Sequence, residues 1–184
     1  SPVAISTWTN ADMPTVHEGN LCFDFPNRWI ASPYDTWAFY RKQFIGVGVR
    51  GRRGIKAVDI LALDPGKTAW LIEVKDFRQN RRTRPEDLAD EVAKKVFDTL
   101  AALLPASVRA NDIAERVVAS DILKAVNLRV VLHLEQSQQS SRLFPRDFDP
   151  SRIQMKLRQI IKPIDPHAVV VETGNMHSLQ WRVS

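Results

Sequence analysis

The chain has few residues that could stabilise it through covalent or metal cross-links. Its single cysteine, Cys22, excludes an intramolecular disulfide and a cysteine-based zinc cluster. The four histidines lack metal-binding spacing. No stretch approaches the roughly 18 apolar residues of a membrane span, and no charged segment leads into an apolar one at the N-terminus. The 184 residues, 44% of them hydrophobic, predict a single cytoplasmic domain over 1–184 with no membrane partner.

Familiar nucleotide and hydrolase motifs are absent or out of context. The chain has no Gly-x-Ser-x-Gly elbow and no phosphate-binding Gly-Lys-Ser/Thr loop. Gly46-x-Gly48-x-x-Gly51 matches the dinucleotide fingerprint, but a strand rather than a helix is expected after it. The sequence therefore argues against these three kinds of site.

Positive charge is concentrated in two segments. Residues 41–56 carry six basic side chains and no acid, and residues 75–84 carry five basic side chains and one acid. Since the whole chain has a net charge of +5, these +6 and +4 segments leave −5 for the rest. Focused positive charge attracts polyanions by neutralising phosphates and releasing counterions. Nucleic acid is the first partner to consider, and a solvated basic face is the alternative.

Periodicity and turn signals predict a mixed order of strands and helices. In the first part of the chain we expect an irregular or edge segment over 1–20, a strand over 21–25, a helix over about 33–44 with Ser32 as N-cap, and strands over 45–53, 55–63 and 68–74. A long helix is expected after the capping-box pair Thr83 and Glu86, and a second helix over 111–124 with Asn111 as N-cap. The rest of the chain is expected to form a strand over 128–134, a helix after Asp149-Pro150, and strands over 168–171 and 179–183.

Apolar spacing predicts which helix residues are buried. The long helix repeats an apolar residue every four positions, from Leu88 to Leu104. The next helix is expected to bury Ile113, Val117 and Ile122. This order predicts an α/β or α+β fold in which helices flank one central mixed sheet.

The sharpest local feature is a pair of acids inside hydrophobic strands. Asp59 is followed, after thirteen residues, by Glu73-Val74-Lys75. An ionised carboxylate in a sheet core must be paired or must hold a cation. Because strand side chains alternate, Glu73 and Lys75 share a face.

The register of the hairpin decides whether Asp59 joins that face. If Pro65-Gly66-Lys67 is a three-residue loop, Asp64 pairs with Thr68 and Asp59 lies opposite Glu73. A two-residue loop would place Asp59 on the other face. We adopt the three-residue loop, in which the two carboxylates stand about 5 Å apart at their Cβ atoms and can chelate one divalent ion.

Val58-Asp59 followed by Glu73-Val74-Lys75, on a hairpin between two helices, resembles the PD-(D/E)XK nuclease superfamily. The resemblance covers about residues 33–135. It implies a restriction-endonuclease-like core with the order α-β-β-β-α-β, followed by a C-terminal α/β extension over 149–184. Val58 stands where the name of the motif implies proline.

The resemblance implies a catalytic trio of Asp59, Glu73 and Lys75. Asp59 and Glu73 are the expected ligands of Mg²⁺, with Mn²⁺ as a substitute, because Mg²⁺ prefers hard oxygen ligands and accepts one or two carboxylates. The ion would polarise a phosphate and acidify bound water, which Lys75 would orient. The alternative is a structural ion pair between either acid and Lys75.

Many members of the superfamily place an additional acid on the first core helix. Glu18 and Asp35 are equal candidates for this role. The alternatives are a solvated loop for Glu18 and helix N-terminal charge stabilisation for Asp35.

Basic residues that flank the two acidic strands in sequence are candidates for holding a nucleic-acid backbone. Members of the superfamily also use a polar residue of the long helix near the site, although an exposed helix face is the alternative explanation there. The candidate nucleic-acid-binding residues are Arg50, Arg52, Arg53, Arg78, Arg81, Arg82, Lys94 and Lys95.

These observations predict a Mg²⁺-dependent nuclease that hydrolyses phosphodiester bonds, with DNA favoured over RNA and an endonuclease over an exonuclease. A homodimer or a protein partner for targeting would supply specificity, which is an analogy at the level of the fold. The second hypothesis is an inactive nuclease-fold module that binds nucleic acid or a protein partner. The third is an interaction domain with an incidental charge pattern.

Overall fold

The computed structural model describes residues 13–45, 54–79, 87–137 and 148–184. The elements within these ranges alternate between strands and helices. They are β1 (Thr15–Glu18), β2 (Leu21–Asp24), β3 (Ile30–Pro33), a 3₁₀ turn (Tyr34–Thr36), α1 (Ala38–Gln43), β4 (Ile60–Leu63), β5 (Thr68–Asp76), α2 (Leu88–Arg109), α3 (Ile113–Leu123), β6 (Asn127–Glu135), α4 (Pro150–Ile160), β7 (Val169–Val171) and β8 (Arg182–Val183).

A five-stranded mixed sheet forms the centre of the fold, in the order β3-β4-β5-β6-β7. β3, β4 and β5 pair antiparallel, whereas β5, β6 and β7 pair parallel. Residues of all four α-helices join a core on one face of this sheet. A smaller antiparallel sheet, β1-β2-β8, contributes to a second core on the other face. The predicted α/β class, with a mixed central sheet and flanking helices, is confirmed.

The β4–β5 hairpin has the register that the three-residue loop predicts. Ile60 pairs with Ile72 and Leu63 with Ala69. The backbone N–H of Asp64 donates to the carbonyl of Thr68 at 3.1 Å, which closes the loop. Loop length thus sets the register of this hairpin, as expected for antiparallel strands.

The strand predicted over 55–63 is shorter than expected, because its first half bonds to a helix rather than to a strand. The backbone N–H of Lys56 donates to Asp98 Oδ2 at 2.8 Å, and that of Val58 donates to Thr99 Oγ1 at 3.0 Å. Regular pairing begins only at Ile60. The strand predicted over 45–53 lies outside the described residues except for Ile45, which follows α1.

The helix predicted over 33–44 is split. Trp37 has an extended ψ of 134° and separates the 3₁₀ turn from α1. Ser32 lies in β3 instead of capping a helix, and its hydroxyl accepts a hydrogen bond from Trp37 Nε1 at 2.7 Å. The sequence did not reveal β3, whose Pro33 pairs with Ile60.

The long helix follows the prediction in its first half and departs from it in its second. Leu88 and Val96 are buried, whereas Leu104 is 63% exposed. A four-residue repeat drifts around a helix of 3.6 residues per turn, so Leu103 and Ala106 fill the core there instead. The capping-box residues predicted at its start lie outside the described residues, and Asp87 caps the helix by accepting the backbone N–H of Ala89.

The second helix of this pair begins later and buries less than predicted. Asp112 is its N-cap and accepts the backbone N–H of Ala114. Ile122 is buried as expected, but Ile113 is 69% exposed and Val117 is 47% exposed. The prediction for these two residues was wrong because α3 packs on α2 through a narrower stripe than its apolar composition suggests.

The two ends of the described chain contribute the small sheet. β1 comes from the segment expected to be irregular or an edge, and it pairs with β2 alone. The closing strand predicted over 179–183 contains only the two residues of β8. No helix in the described part of the chain is long and apolar enough to cross a membrane.

Candidate functional site

Asp59 and Glu73 lie together at one end of the β4–β5 hairpin. Glu73 is fully buried, and it follows Leu71 on the face of the sheet that the helices cover. Asp59 is the residue before β4, and its Oδ2 accepts the backbone N–H of Val74 at 2.6 Å. The hairpin therefore brings the two acids to one place, as its register predicts.

Two lysines approach the buried carboxylate of Glu73. Lys75 Nζ lies 2.9 Å from Glu73 Oε1, and Lys95 Nζ lies 2.6 Å from the same oxygen. Lys95 Nζ is also 3.4 Å from Asp59 Oδ1. The cluster therefore combines two carboxylates from the hairpin with one lysine from β5 and one from α2.

Glu91 of α2 is a member of this cluster that the sequence analysis did not name. Its spacing to Lys95 suggests an exposed i, i+4 pair on the polar side of the helix. In the structure Glu91 is only 2% exposed, and its Oε1 lies 3.1 Å from Lys75 Nζ. The sequence signal for this role is weak, since an acid one turn before a lysine is common on exposed helices.

Two buried carboxylate oxygens near the hairpin end have no hydrogen-bond partner among the described residues. They are Glu73 Oε2 and Asp35 Oδ1. Glu73 Oε1 also lacks a contact with hydrogen-bond geometry, although both lysine ammoniums are within ion-pair distance of it. Buried polar atoms are nearly always satisfied in proteins, so these oxygens are available for a ligand.

Burial and a neighbouring like charge favour the neutral form of Glu73. Desolvation, followed by the charge of Asp59, raises the pKa of Glu73 from 4.5 to about 7, against the opposing effect of Lys95 and Lys75. This shift identifies Glu73 as a carboxylate whose negative charge the lysines only partly offset.

Glu18 and Asp35, the two candidates for an additional acid, interact electrostatically with the same cluster. The pKa of Glu18 is raised to about 7, mainly by burial and further by the charges of Asp59 and Asp35. Burial, then the charge of Asp59, raises the pKa of Asp35. Glu18 ends β1 and is half-buried rather than lying in a solvated loop, and Asp35 lies in the 3₁₀ turn.

A cavity of about 380 Å³ opens beside the cluster. It has basic side chains as well as acids on its walls, together with one tyrosine, and this mixture suits a phosphate accompanied by a cation. The residues that line it are Asp35, Tyr40, Arg41, Ile45, Lys56, Ala57, Asp59, Lys75, Glu91 and Lys95. Of the cations among these, Arg41 and Lys56 were not named as site residues from the sequence.

The predicted nucleic-acid-binding residues divide into three groups. Arg50, Arg52, Arg53, Arg81 and Arg82 lie outside the described residues. Arg78 and Lys94 are exposed and form ion pairs with the acids nearest to them, Asp76 at 2.6 Å and Asp98 at 3.0 Å. Of the predicted residues that are described, Lys95 is the one that lines the cavity.

The donor set can be compared with the needs of a metal ion. In the ranges that the structure describes, no group of three or more histidine, cysteine, aspartate or glutamate side chains is placed to hold one. Mg²⁺, however, takes one or two carboxylates and completes its shell with water and phosphate. Asp59 and Glu73, the latter with an unsatisfied oxygen, fit that smaller requirement.

Comparison with known proteins gives one relative. The chain is 27% identical over 209 aligned positions to a cysteine–tRNA ligase of Neisseria meningitidis serogroup A, and the similarity covers 94% of this chain but 30% of that protein. The chain thus spans about a third of the length of the relative. No family model and no solved structure matches the chain.

This relative overturns the functional interpretation of the sequence. The predicted function was a nuclease, specifically an endonuclease and hydrolase, whereas the protein to which nearly the whole chain is similar is named as a tRNA ligase, a different class of enzyme. The prediction of nuclease activity was therefore wrong. Its physical basis, an acid pair followed by a lysine on a hairpin, is a short pattern that also serves in ion pairs and in binding sites.

Proposed function

We propose that this chain is a tRNA-ligase-related domain that binds RNA, and that it contacts the RNA backbone at the cavity beside Asp59 and Glu73 with the help of a divalent cation. The observation that carries the proposal is that Asp59, Lys75 and Lys95 meet at that cavity. The buried Glu73 lies behind them, in ion-pair contact with both lysines. Such a mixed cluster suits a phosphate together with its counterion better than it suits an uncharged ligand.

The chemistry of the donor atoms supports Mg²⁺, with Mn²⁺ as a substitute, at this cluster. Asp59 and Glu73 would hold the ion, which would supply positive charge for a phosphate oxygen. Lys75 and Arg41 line the same cavity and can donate hydrogen bonds to further phosphate oxygens. The residues of the chain therefore orient the backbone, and these contacts carry no base-sequence information.

The choice of RNA over DNA comes from the relative, whose name specifies tRNA. The similarity extends over nearly the whole chain, so it includes the site. Since the chain spans about a third of that protein, we propose a supporting domain that helps to bind tRNA, and we do not assign the ligase reaction to it. The charge pattern is compatible with this role, because attraction between basic segments and phosphates does not depend on the sugar.

For the finer architecture we propose a restriction-endonuclease-like core without the nuclease activity. A short helix, an antiparallel hairpin, a long helix and a parallel strand occur in this chain order as α1, β4–β5, α2 and β6, with α3 between the last two, and this order supports the proposal. A shared fold carries no function by itself.

The proposal can be tested by fluorescence anisotropy with a labelled tRNA transcript and a DNA duplex of equal charge, in Mg²⁺ or in EDTA. Wild-type protein should bind the tRNA at least tenfold more tightly in Mg²⁺. Glu73→Gln and Asp59→Asn should lose that enhancement, because they remove the ligand charge. Asp121→Asn, which alters an exposed i, i+3 pair with Lys124, is the matched control and should behave as wild type.

Three results would contradict the proposal. Enhancement by Mg²⁺ that persists in Glu73→Gln would place the ion elsewhere, for example on the RNA alone. Tighter binding to the DNA duplex would refute RNA as the partner. Metal-dependent loss of full-length probe on a denaturing gel, absent in Glu73→Gln, would refute the interpretation as a binding domain.

A further inference from the structure

Lys95 contacts one oxygen of each carboxylate that a divalent cation would bind. Its Nζ lies 2.6 Å from Glu73 Oε1 and 3.4 Å from Asp59 Oδ1, so one ammonium bridges both carboxylates. The side chain of Lys95 is only 15% exposed, yet it lines the cavity. A cation is therefore already present at the site, and it is covalently attached to α2.

We propose that Lys95 is an internal, displaceable cation: its ammonium bridges Asp59 and Glu73 in the metal-free protein and is released into the cavity when a divalent cation binds. The inference rests on the proposed function, because it presumes that these two carboxylates bind the ion. It adds that the Lys95 ammonium and the divalent cation compete for these two carboxylates. This competition sets how tightly the ion binds and when Lys95 becomes available to phosphate.

The need for such a cation follows from the burial of Glu73. A fully buried carboxylate that loses its partner is strongly destabilising. A divalent ion and an ammonium, however, repel each other when both sit within contact distance of the same oxygen. Since Glu73 Oε1 is already contacted by two ammoniums, repulsion from a third cation on the same carboxylate favours the release of one of them.

Lys95 is better placed to leave than Lys75. Lys75 Nζ is held by Glu91 at 3.1 Å in addition to Glu73, so it keeps a buried anionic partner when the metal binds. The ion-pair partners that the structure gives Lys95 are the two proposed metal ligands themselves. Its long flexible side chain can swing from them into the adjoining cavity, where a phosphate would accept it.

The first experiment is titration calorimetry with Mn²⁺ on wild-type protein, Lys95→Met and Lys94→Met. Methionine keeps the length of the side chain and removes the charge. Lys94 is the neighbouring lysine, its side chain is 53% exposed, and it pairs with Asp98 rather than with Asp59 or Glu73, so Lys94→Met is the matched control. Loss of the competitor should make Lys95→Met bind Mn²⁺ at least tenfold more tightly than wild type, and Lys94→Met should not differ from wild type.

The second experiment uses the wild-type protein and so does not depend on the folding of a variant. Lysines are acetylated with an N-hydroxysuccinimide ester, with and without saturating Mn²⁺, and the modification of each lysine is measured by mass spectrometry after cleavage at acidic residues. Release from the carboxylates should raise the labelling rate of Lys95 several-fold, and that of Lys94 should stay constant.

The outcomes separate this inference from the proposed function. The displacement is refuted, while the metal site stands, if two results are found together. Lys95→Met binds Mn²⁺ no more tightly than wild type, and Mn²⁺ leaves the labelling of Lys95 in the wild type unchanged. If neither protein binds Mn²⁺, both are refuted. If only Lys95→Met binds, the lysine acts as a complete block, which supports the displacement.

Discussion

Replacing Glu73 by glutamine should change how the stability of the protein depends on pH. Glu73 is fully buried, and its pKa rises from 4.5 to about 7 on folding. The folded state therefore holds this proton more tightly than the unfolded state does. The contribution of Glu73 to the free energy of unfolding is therefore fully present below pH 4.5, and it is lost as the pH rises toward 7 and above.

The magnitude follows from the shift. A rise in pKa from 4.5 to about 7 corresponds to about 3 kcal/mol, because each tenfold change in proton affinity is worth about 1.4 kcal/mol. Glutamine cannot ionise and resembles the protonated acid in shape. Relative to Glu73→Gln, the wild type should therefore lose about 3 kcal/mol of unfolding free energy between pH 4 and pH 8.

Urea unfolding at intervals across this pH range, in EDTA, measures the difference directly. Comparing two proteins that differ at one residue removes the contributions of other titrating groups, such as Glu18. A difference between wild type and Glu73→Gln that stays constant within about 0.5 kcal/mol across the range would refute the reasoning.

Two further changes test the packing that supports the site. Thr99→Val should lower the unfolding free energy by about 1–3 kcal/mol, because the buried N–H of Val58 loses its hydrogen bond to the Thr99 hydroxyl, which is 3.0 Å long. Thr99→Ser keeps a hydroxyl and should restore most of this loss in the same urea assay. Leu157→Ala, on the buried face of α4, should lower the unfolding free energy by about 2–5 kcal/mol, measured by thermal or urea unfolding. Met155→Ala, on the exposed face of the same helix, should change it by less than about 0.5 kcal/mol. Equal losses at both positions would contradict the assignment of the two faces.

Local rules predicted the parts of the fold that depend on nearby residues. The three-residue loop at Pro65-Gly66-Lys67 determines the register of β4 and β5, so the proximity of Asp59 and Glu73 could be inferred from chain spacing alone. Asp149 and Pro150 similarly mark the start of α4, because capping is a property of a few consecutive residues. The function predicted from the same trio was wrong, since a three-residue pattern describes a charge arrangement rather than a reaction.

Contacts between distant segments decided the rest. α2 supplies Lys95 and the buried Glu91 to the cluster, although the ion pairs Lys75–Glu91 and Asp59–Lys95 join residues 16 and 36 positions apart in sequence. β1 brings the charge of Glu18 close to the same cluster. Sequence periodicity assigned Glu91 and Lys95 to a polar helix face, but it could not say which polar residues of that face meet buried acids of the sheet. The sequence by itself determined a hairpin that carries two acids. Only the packing of α2 on the sheet decided that Lys95 forms ion pairs with them, because electrostatic energy in a low-dielectric interior depends on distances that no local rule provides.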